Sequence, residues 1–183
     1  YESHPLSAKA ERERASALDK SGRHAEAAEA FQKFLSRHPD HPGVPQALYE
    51  RSWALWNRIK PAAQQVREAE AKLRELVGAG KAADLPAPER AEAERAEAEV
   101  ARLSGDVKKS EDEILASLGN LTARYPDYAV VDAAWLRIGE ILYDRGEFQQ
   151  ALAAYQKALA AAASRDGEIA DKAQYRMAWS IQR

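Results

Sequence analysis

The stretch that decides the fold spans residues 132–163 and runs DAAWLRIGEILYDRGEFQQALAAYQKALAAAA. Its first half carries Trp135, Ile138 and Leu142 at i, i+3 and i+7, a spacing that places all three on one face of an α-helix. Gly146 follows at the position where the chain must turn. Glycine suits such a turn because it adopts a positive φ without strain. The pattern therefore predicts two helices joined by a tight turn.

The second half of this stretch predicts how the two helices pack. Ala151 and Ala158 lie seven residues apart, on the seam of the second helix, while Phe148 and Tyr155 fill the space between the helices. Gly139 leaves room for the second helix to approach closely. These residue types at these spacings resemble the tetratricopeptide repeat (TPR), a helix–turn–helix unit that stacks into a solenoid.

The same template fits other parts of the chain, and the repeats begin near positions 8, 46, 132 and 172. The first helix of the first repeat is polar at Glu11 and Arg14, which is typical of a capping unit, and loss of a preceding repeat would expose it equally. The last copy supplies only a first helix, so we expect the chain to continue into another repeat. The remaining positions of the first repeat that match the template are Gly22, Ala27, Phe31, Phe34 and Pro39.

The step between the second and third repeats is longer than its neighbours by about 46 to 48 residues, and this extra length is helical in pattern. Residues 78–89 have the composition of a turn, Pro88 suits the first turn of a helix, and Pro61 is tolerated as a kink. We predict an antiparallel coiled-coil hairpin within the split repeat. Its seven-residue repeats are Ile59, Val66 and Leu73 on the outgoing arm and Val100, Val107, Ile114 and Leu121 on the returning arm.

These patterns predict an all-α fold, a TPR-type helical-hairpin solenoid with an antiparallel coiled-coil hairpin insertion. Residues 1–60 hold the first repeat and the first helix of the split repeat, and residues 61–110 hold the hairpin. Residues 111–183 hold the end of the split repeat, the third repeat and the first helix of a truncated fourth. Alanine is far commoner than valine, isoleucine and threonine together, which nearly excludes a sheet protein.

Composition also limits the function. The net charge of -2, from 27 Lys+Arg against 29 Asp+Glu, shows no basic excess and argues against a nucleic-acid partner. The chain has no cysteine, which excludes disulfides, thiolate zinc sites and cysteine nucleophiles. No hydrophobic run approaches the roughly 18 residues that span a bilayer, so we expect no direct membrane insertion.

Each candidate for chemistry has a simpler structural explanation. His38 and His41 flank Pro39 in a repeat-terminal turn and lack a further metal ligand nearby, and His24 sits at a turn position where an aromatic residue packs. The segment at Gly78–Lys81 lacks the Ser/Thr and the preceding strand of a phosphate-binding loop. We therefore expect no catalytic residue, no cofactor and no metal. The aromatics expected to pack rather than to form a ligand cage are Trp53, Trp56, Trp135, Tyr155 and Trp179.

The TPR resemblance implies a partner-binding groove lined by first-helix side chains. It implies that a peptide or helix of another protein binds there, with Tyr143 as the best aromatic anchor. The charges of the set are mixed and lack the repeated Lys/Asn arrangement that clamps a carboxylate terminus. The matching positions are Arg12, Ser16, Asp19, Lys20, Glu50, Asn57, Arg58, Leu136, Glu140, Tyr143, Asp144, Arg176 and Ser180.

The spacing of 38 to 40 residues and the RHPDH and RYPDY ends are similar in style to bacterial cell-envelope TPR proteins. This implies a non-catalytic scaffold within a larger envelope protein of secretion, motility, or wall and outer-membrane assembly, at the periplasm or the outer membrane. A cytoplasmic location is the alternative. Two other functions stay open: the hairpin as a rigid tethering or oligomerising arm, and an accessory domain of an enzyme. We expect a monomer or a weak dimer.

Overall fold

The computed structural model describes residues 5–78, 80–162 and 167–181. Within these ranges the chain forms seven α-helices and no strand, so the predicted all-α fold is confirmed. A short 3-10 helix at Ala82–Asp84 separates the third helix from the fourth. The helices are α1 Pro5–Lys20, α2 His24–Arg37, α3 Val44–Val77, α4 Ala87–Arg124, α5 Val131–Asp144, α6 Phe148–Ala162 and α7 Gly167–Ile181.

The chain divides into two compact units. The first unit consists of Tyr1–Leu55 together with Glu113–Arg183, and the second unit is Trp56–Asp112. The helices α3 and α4 are 34 and 38 residues long, and each contributes residues to both units.

Two helical hairpins of the first unit share one turn geometry. The amide of Gly146 donates to the carbonyl of Tyr143 at 2.9 Å, and the amide of Glu147 donates to the carbonyl of Leu142 at 2.9 Å. This pattern is a Schellman motif, whose glycine must adopt a positive φ, and the φ of Gly146 is +77°. The α1–α2 turn repeats it around Gly22, whose φ is +81°. The predicted glycine turns are therefore present in both repeats.

The core of each hairpin follows the predicted template. Ala151 and Tyr155 on α6 are fully buried, and they pack with Leu136 from α5 and Ala173 from α7. The equivalent residues of α2 are Ala27 and Phe31, which have the same spacing in the sequence as Ala151 and Tyr155. Both are fully buried as well. Small residues on one helix thus receive large aromatic side chains on the next, which is how closely packed helices interlock.

Gly139 is the point of closest approach between α5 and α6. It is buried, and a Cβ built at this position would overlap the ring of Tyr155. The corresponding residue of α1 is Ala15, which is also fully buried. A small residue is required here because the aromatic ring occupies the space that a side chain would take.

The last part of α4 contacts the first part of α3. Ile114, Leu118 and Leu121 are fully buried in the first unit and take the place of the apolar residues of α2 and α6. Arg51 on α3 links the two helices, because its Nη1 donates to Ser117 Oγ and its Nη2 lies 3.2 Å from Glu113 Oε2. Two helix segments that are distant in sequence therefore pack together within the first unit.

The second unit is an antiparallel helical hairpin. Arg58 Nη2 donates to Ser110 Oγ at 2.7 Å near one end, and Lys72 Nζ lies 3.1 Å from Glu92 Oε1 near the other. The helix α3 continues through Pro61, where proline supplies no amide for the helical hydrogen bond. Several seam residues are only half-buried, because two helices alone leave one side of each seam open. They include Val66, Leu73, Val100 and Val107, whereas Ala93 and Leu103 are buried.

The described residues near the tip of this hairpin make local polar contacts. The amide of Lys81 donates to Asp84 Oδ2 at 3.2 Å, and Gly78 ends α3 with a φ of +59°. Pro88 is the second residue of α4, within the first helical turn as predicted. Within the described residues, no helix combines the length and the apolar character that a membrane-spanning segment needs.

We expect Gly139→Ala to destabilise the protein. The new methyl group must displace the Tyr155 ring, which is fully buried, and overpacking of this kind costs about 1–3 kcal/mol. The matched control is Gly119→Ala in α4, where a Cβ meets nothing within 4 Å. There we expect stabilisation of roughly 0.5–1 kcal/mol from helix propensity alone. Urea unfolding of both variants measures the difference, and equal effects would contradict the close approach.

We expect Tyr155→Phe to stabilise the protein by about 1 kcal/mol, because the buried Tyr155 hydroxyl has no hydrogen-bond partner among the residues that the structure describes. The matched control is Tyr128→Phe, which removes a hydroxyl that donates to Gln46 Oε1 at 2.9 Å and should destabilise by about 1 kcal/mol. Burial also raises the pKa of the Tyr155 phenol above its usual value. The wild-type chain should therefore lose stability above a pH of about 10, where the unfolded phenol ionises first, and Tyr155→Phe should lose less. A destabilised Tyr155→Phe variant would refute this account.

Candidate functional site

The first helices of the repeats bring two groups of predicted groove residues into contact, one around Glu50 and one around Glu140. The first unit contains α1, the start of α3, α5 and α7, and these helices carry the matching positions of successive repeats. We call the polar side chains on these four helices the first-helix face. It includes Arg12, Ser16, Glu50, Glu140, Tyr143 and Arg176.

Glu50 is the centre of a hydrogen-bond network between α1 and α3. Its Oε2 accepts a hydrogen bond from Ser16 Oγ at 2.7 Å and lies 3.5 Å from Arg12 Nη1. Its Oε1 accepts a hydrogen bond from Gln46 Nε2 at 2.9 Å. All these side chains are partly buried, so the charge of the carboxylate is balanced within the protein and the network holds the two helices in register.

The equivalent contact between α5 and α7 uses the opposite arrangement of charge. Glu140 on α5 occupies the position of Ser16, and Arg176 on α7 occupies the position of Glu50. Arg176 Nη2 lies 3.7 Å from Glu140 Oε1, and Arg137 Nη1 lies 3.0 Å from Glu140 Oε2. A polar contact therefore links the first helices of both pairs. In the α1–α3 contact the glutamate lies on α3, the later helix, and in the α5–α7 contact it lies on α5, the earlier helix.

Arg137 extends this network to an aromatic ring. Its guanidinium lies 4.9 Å from the centre of the Trp53 ring, a distance typical of a cation–π contact. Arg137 and Gln46 were not among the predicted groove residues. A signal was available for both, because Arg137 precedes Glu140 by three residues and Gln46 precedes Glu50 by four, so each pair shares a helix face.

The ends of α1 and α5 place the next group of predicted residues beside the turns. Asp19 Oδ1 lies 2.7 Å from His24 Nδ1, and the equivalent pair in the third repeat is Tyr143 with Phe148, whose ring centres are 5.2 Å apart. The histidine therefore takes an aromatic position, as predicted, but it makes a hydrogen bond to a carboxylate there. Lys20 and Asp144, which follow these residues, are exposed.

Some predicted groove residues lie elsewhere. Leu136 is 9% exposed and packs in the core with Tyr155 and Ala173, because α7 covers this side of α5, so its placement on the groove surface was wrong. Ser180 is also buried, and its hydroxyl donates to the carbonyl of Arg176 at 2.9 Å. Asn57 and Arg58 belong to the second unit and are not part of the first-helix face described here.

The aromatic residues divide into two groups. Tyr155 is buried and Trp135 is half-buried, as predicted for packing residues, and Lys157 Nζ lies 4.3 Å from the Trp135 ring centre. Trp56 is half-buried as well. Trp53 and Trp179 are 38% and 45% exposed, so the interpretation of these two as packing residues was incomplete. Both stand where other repeats carry Ala15 or Gly139.

The histidines of the terminal turn pack with one another. His38 is buried, and its ring lies 5.4 Å from that of Phe34 and 6.5 Å from that of His41. His41 Nδ1 accepts a hydrogen bond from the amide of Gly43 at 2.9 Å. Across the described ranges, no three His, Asp or Glu side chains are grouped so that they could hold a metal ion.

Comparison with known proteins identifies the repeats. A family model described as tetratricopeptide repeat matches residues 1–42, 12–60 and 115–166, which together make up more than half of the chain. No curated protein sequence matches the chain. The matched segments hold both glycine turns and the close approach of Gly139 to Tyr155. The chain therefore belongs to the tetratricopeptide repeat family, whose repeats generally mediate protein–protein interaction.

Proposed function

We propose that this chain is a non-catalytic scaffold that binds a peptide or helix of a partner protein on its first-helix face. The observation that carries this proposal is the alignment of polar side chains on successive first helices, where Glu50 links α1 to α3 and Glu140 links α5 to α7. A surface held by such contacts is ordered before a partner arrives. Binding then loses less conformational freedom than on a mobile surface.

The chemistry of this face favours a partner segment that is polar and of mixed charge. Glu50 and Glu140 already have cationic or hydroxyl partners within the protein, so neither carboxylate requires a cation from the partner segment. Tyr143 offers an aromatic ring with a polar tip, and its contact with Phe148 fixes the ring. Residues with this combination often dominate the binding energy of an interface.

We further propose that the scaffold works in the bacterial cell envelope, in secretion, motility, or wall and outer-membrane assembly. The support is the style of the sequence, namely the repeat spacing of 38 to 40 residues and the paired RHPDH and RYPDY ends. A periplasmic or outer-membrane-associated location follows from this proposal, and a cytoplasmic location is its alternative.

The second candidate function assigns binding to the helical hairpin of the second unit. It is favoured by the separate compactness of Trp56–Asp112 and by a groove of about 530 Å³ between its helices. Alanines and charged side chains, among them Lys72, Glu92 and Arg95, line this groove. The half-buried seam would gain burial from a further helix.

One experiment separates the two functions. Affinity capture from the native host, followed by binding measurements with the purified partner, compares alanine substitutions at Glu140, Tyr143 and Asp144 with a deletion of residues 62–109. We expect the substitutions to weaken binding at least about tenfold, since they remove an aromatic anchor, whereas the deletion should leave it unchanged.

The control for this experiment is the double variant Gln149→Ala and Gln156→Ala, which alters exposed residues on the second helix α6. It should bind as the wild type does. Loss of binding in the deletion, with full binding in the substituted chain, would assign the function to the hairpin instead.

A further inference from the structure

A pocket of about 270 Å³ lies within the first unit, lined by residues of α2, of the first part of α3 and of the last part of α4. We call it the α2–α4 pocket. Its lining includes the apolar residues Leu35, Val44 and Leu48 and the cations Arg51 and Arg124. No aspartate or glutamate is among the described residues that line it. The pocket therefore combines apolar surface with positive charge.

The charge of Arg51 is balanced within the protein. Its Nη2 lies 3.2 Å from Glu113 Oε2, and its Nη1 donates to the hydroxyl of the buried Ser117. The Arg51 side chain is only 13% exposed. This arginine is thus a fixed part of the pocket, and the charge that could attract a ligand comes from Arg124.

Arg124 is the last residue of α4, and its side chain is exposed. Its Nη2 donates to the carbonyl of Pro39 at 3.5 Å, and its guanidinium lies 5.3 Å from the centre of the Tyr125 ring. These contacts position the guanidinium, but neither supplies a negative charge. Among the residues that the structure describes, no carboxylate forms an ion pair with Arg124. A guanidinium has further N–H donors, whose geometry suits a carboxylate.

The first repeat shows what the equivalent arginine contacts when an acid is present. Arg37 holds the position of Arg124, since it begins RHPDH as Arg124 begins RYPDY. Its Nη1 lies 3.4 Å from Glu11 Oε1 on the first helix of the same repeat. In the split repeat, Tyr49 stands at the position of Glu11, so the acid is replaced by a phenol. A carboxylate is therefore the group that complements Arg124.

We propose that the α2–α4 pocket binds a glutamate side chain within an otherwise apolar peptide segment of a partner protein. The carboxylate accepts hydrogen bonds from Arg124 and from the amide of Asn120, which is exposed and makes no side-chain hydrogen bond to another described residue. The methylene groups of the glutamate and its apolar neighbours pack on Leu35 and Leu48. None of the side chains named in the first-helix face lines this pocket, so the site does not depend on the function proposed above.

Size and charge both favour this ligand. The pocket is smaller than the roughly 300–1000 Å³ of typical small-molecule sites, so it suits one side chain and its neighbours. The single unbalanced cation matches the single charge of a carboxylate. A phosphate monoester carries a charge of about −1.5 to −2 and would leave negative charge without a partner.

An NMR titration of the isotope-labelled full chain measures the binding. The probe is the peptide acetyl-Leu-Glu-Leu-amide, and its matched control is acetyl-Leu-Gln-Leu-amide. We expect the glutamate peptide to shift the backbone amide signals of Ser117, Asn120 and Arg124 with a Kd on the order of 1 mM. The glutamine peptide should bind at least about tenfold more weakly, because it lacks the charge that strengthens a hydrogen bond to arginine.

Variants of the protein test the pocket itself. Arg124→Gln should raise the Kd of the glutamate peptide at least about tenfold. Arg37→Gln is the matched control and should leave the Kd unchanged, because Arg37 does not line the pocket. Ala116→Phe fills the pocket without changing its charge and should abolish the shifts. Circular dichroism confirms that each variant is folded.

Several outcomes overturn the proposal. They are equal Kd values for the glutamate and glutamine peptides, equal effects of Arg37→Gln and Arg124→Gln, and no saturable shift up to about 20 mM peptide. Tighter binding of acetyl-Leu-phosphoserine-Leu-amide would assign the pocket to phosphate instead. Shifts centred on Tyr143 would place the peptide on the first-helix face, which would overturn this inference and leave the proposed function standing.

Discussion

The close approach of a small residue on one helix to an aromatic ring on the next is the constraint on which the repeats depend. Gly139 approaches Tyr155 in this way, and the equivalent positions of the first repeat hold Ala15 and Phe31, which are both fully buried. Because the helices of a pair approach so closely, their connection must reverse within a few residues. The positive φ of Gly22 and Gly146 makes this reversal possible. The close packing of each helix pair therefore requires the tight glycine turn that connects its two helices.

Polar contacts between first helices form a second level of order on this apolar framework. The interlocking residues face the second helix of each pair, and this leaves another side of the first helix available for polar groups. Glu50 gathers donors from α1 and α3, and Glu140 gathers arginines from α5 and α7. Partly buried networks of this kind are stronger than surface ion pairs because water screens them less. The face that we propose for partner binding is therefore part of the stabilising structure of the repeats.

The positions of the buried apolar residues could be predicted from the sequence, whereas the polar contacts could not. Ala151, Ala158 and Tyr155 follow a helical period, and a period identifies the buried face of a helix. Leu136 was misplaced because a repeat template assigns it to the groove, while α7 in this chain covers it. Gln46 and Arg137 were missed because the partners of a polar side chain depend on distances between helices. The division of the chain at residues 60 and 110 and the binding role of the groove remain predictions.

By itself, the sequence determined that this protein is a set of paired helices with tight glycine turns, because helix period, small residues and turn residues act over short distances along the chain. The tertiary structure alone decided which polar groups meet and which aromatic rings stay exposed. Arg137 covers Trp53, while no described cation covers Trp179, although both tryptophans occupy the same repeat position. The physical reason is that burial of a side chain depends on the neighbouring helix as well as on its own.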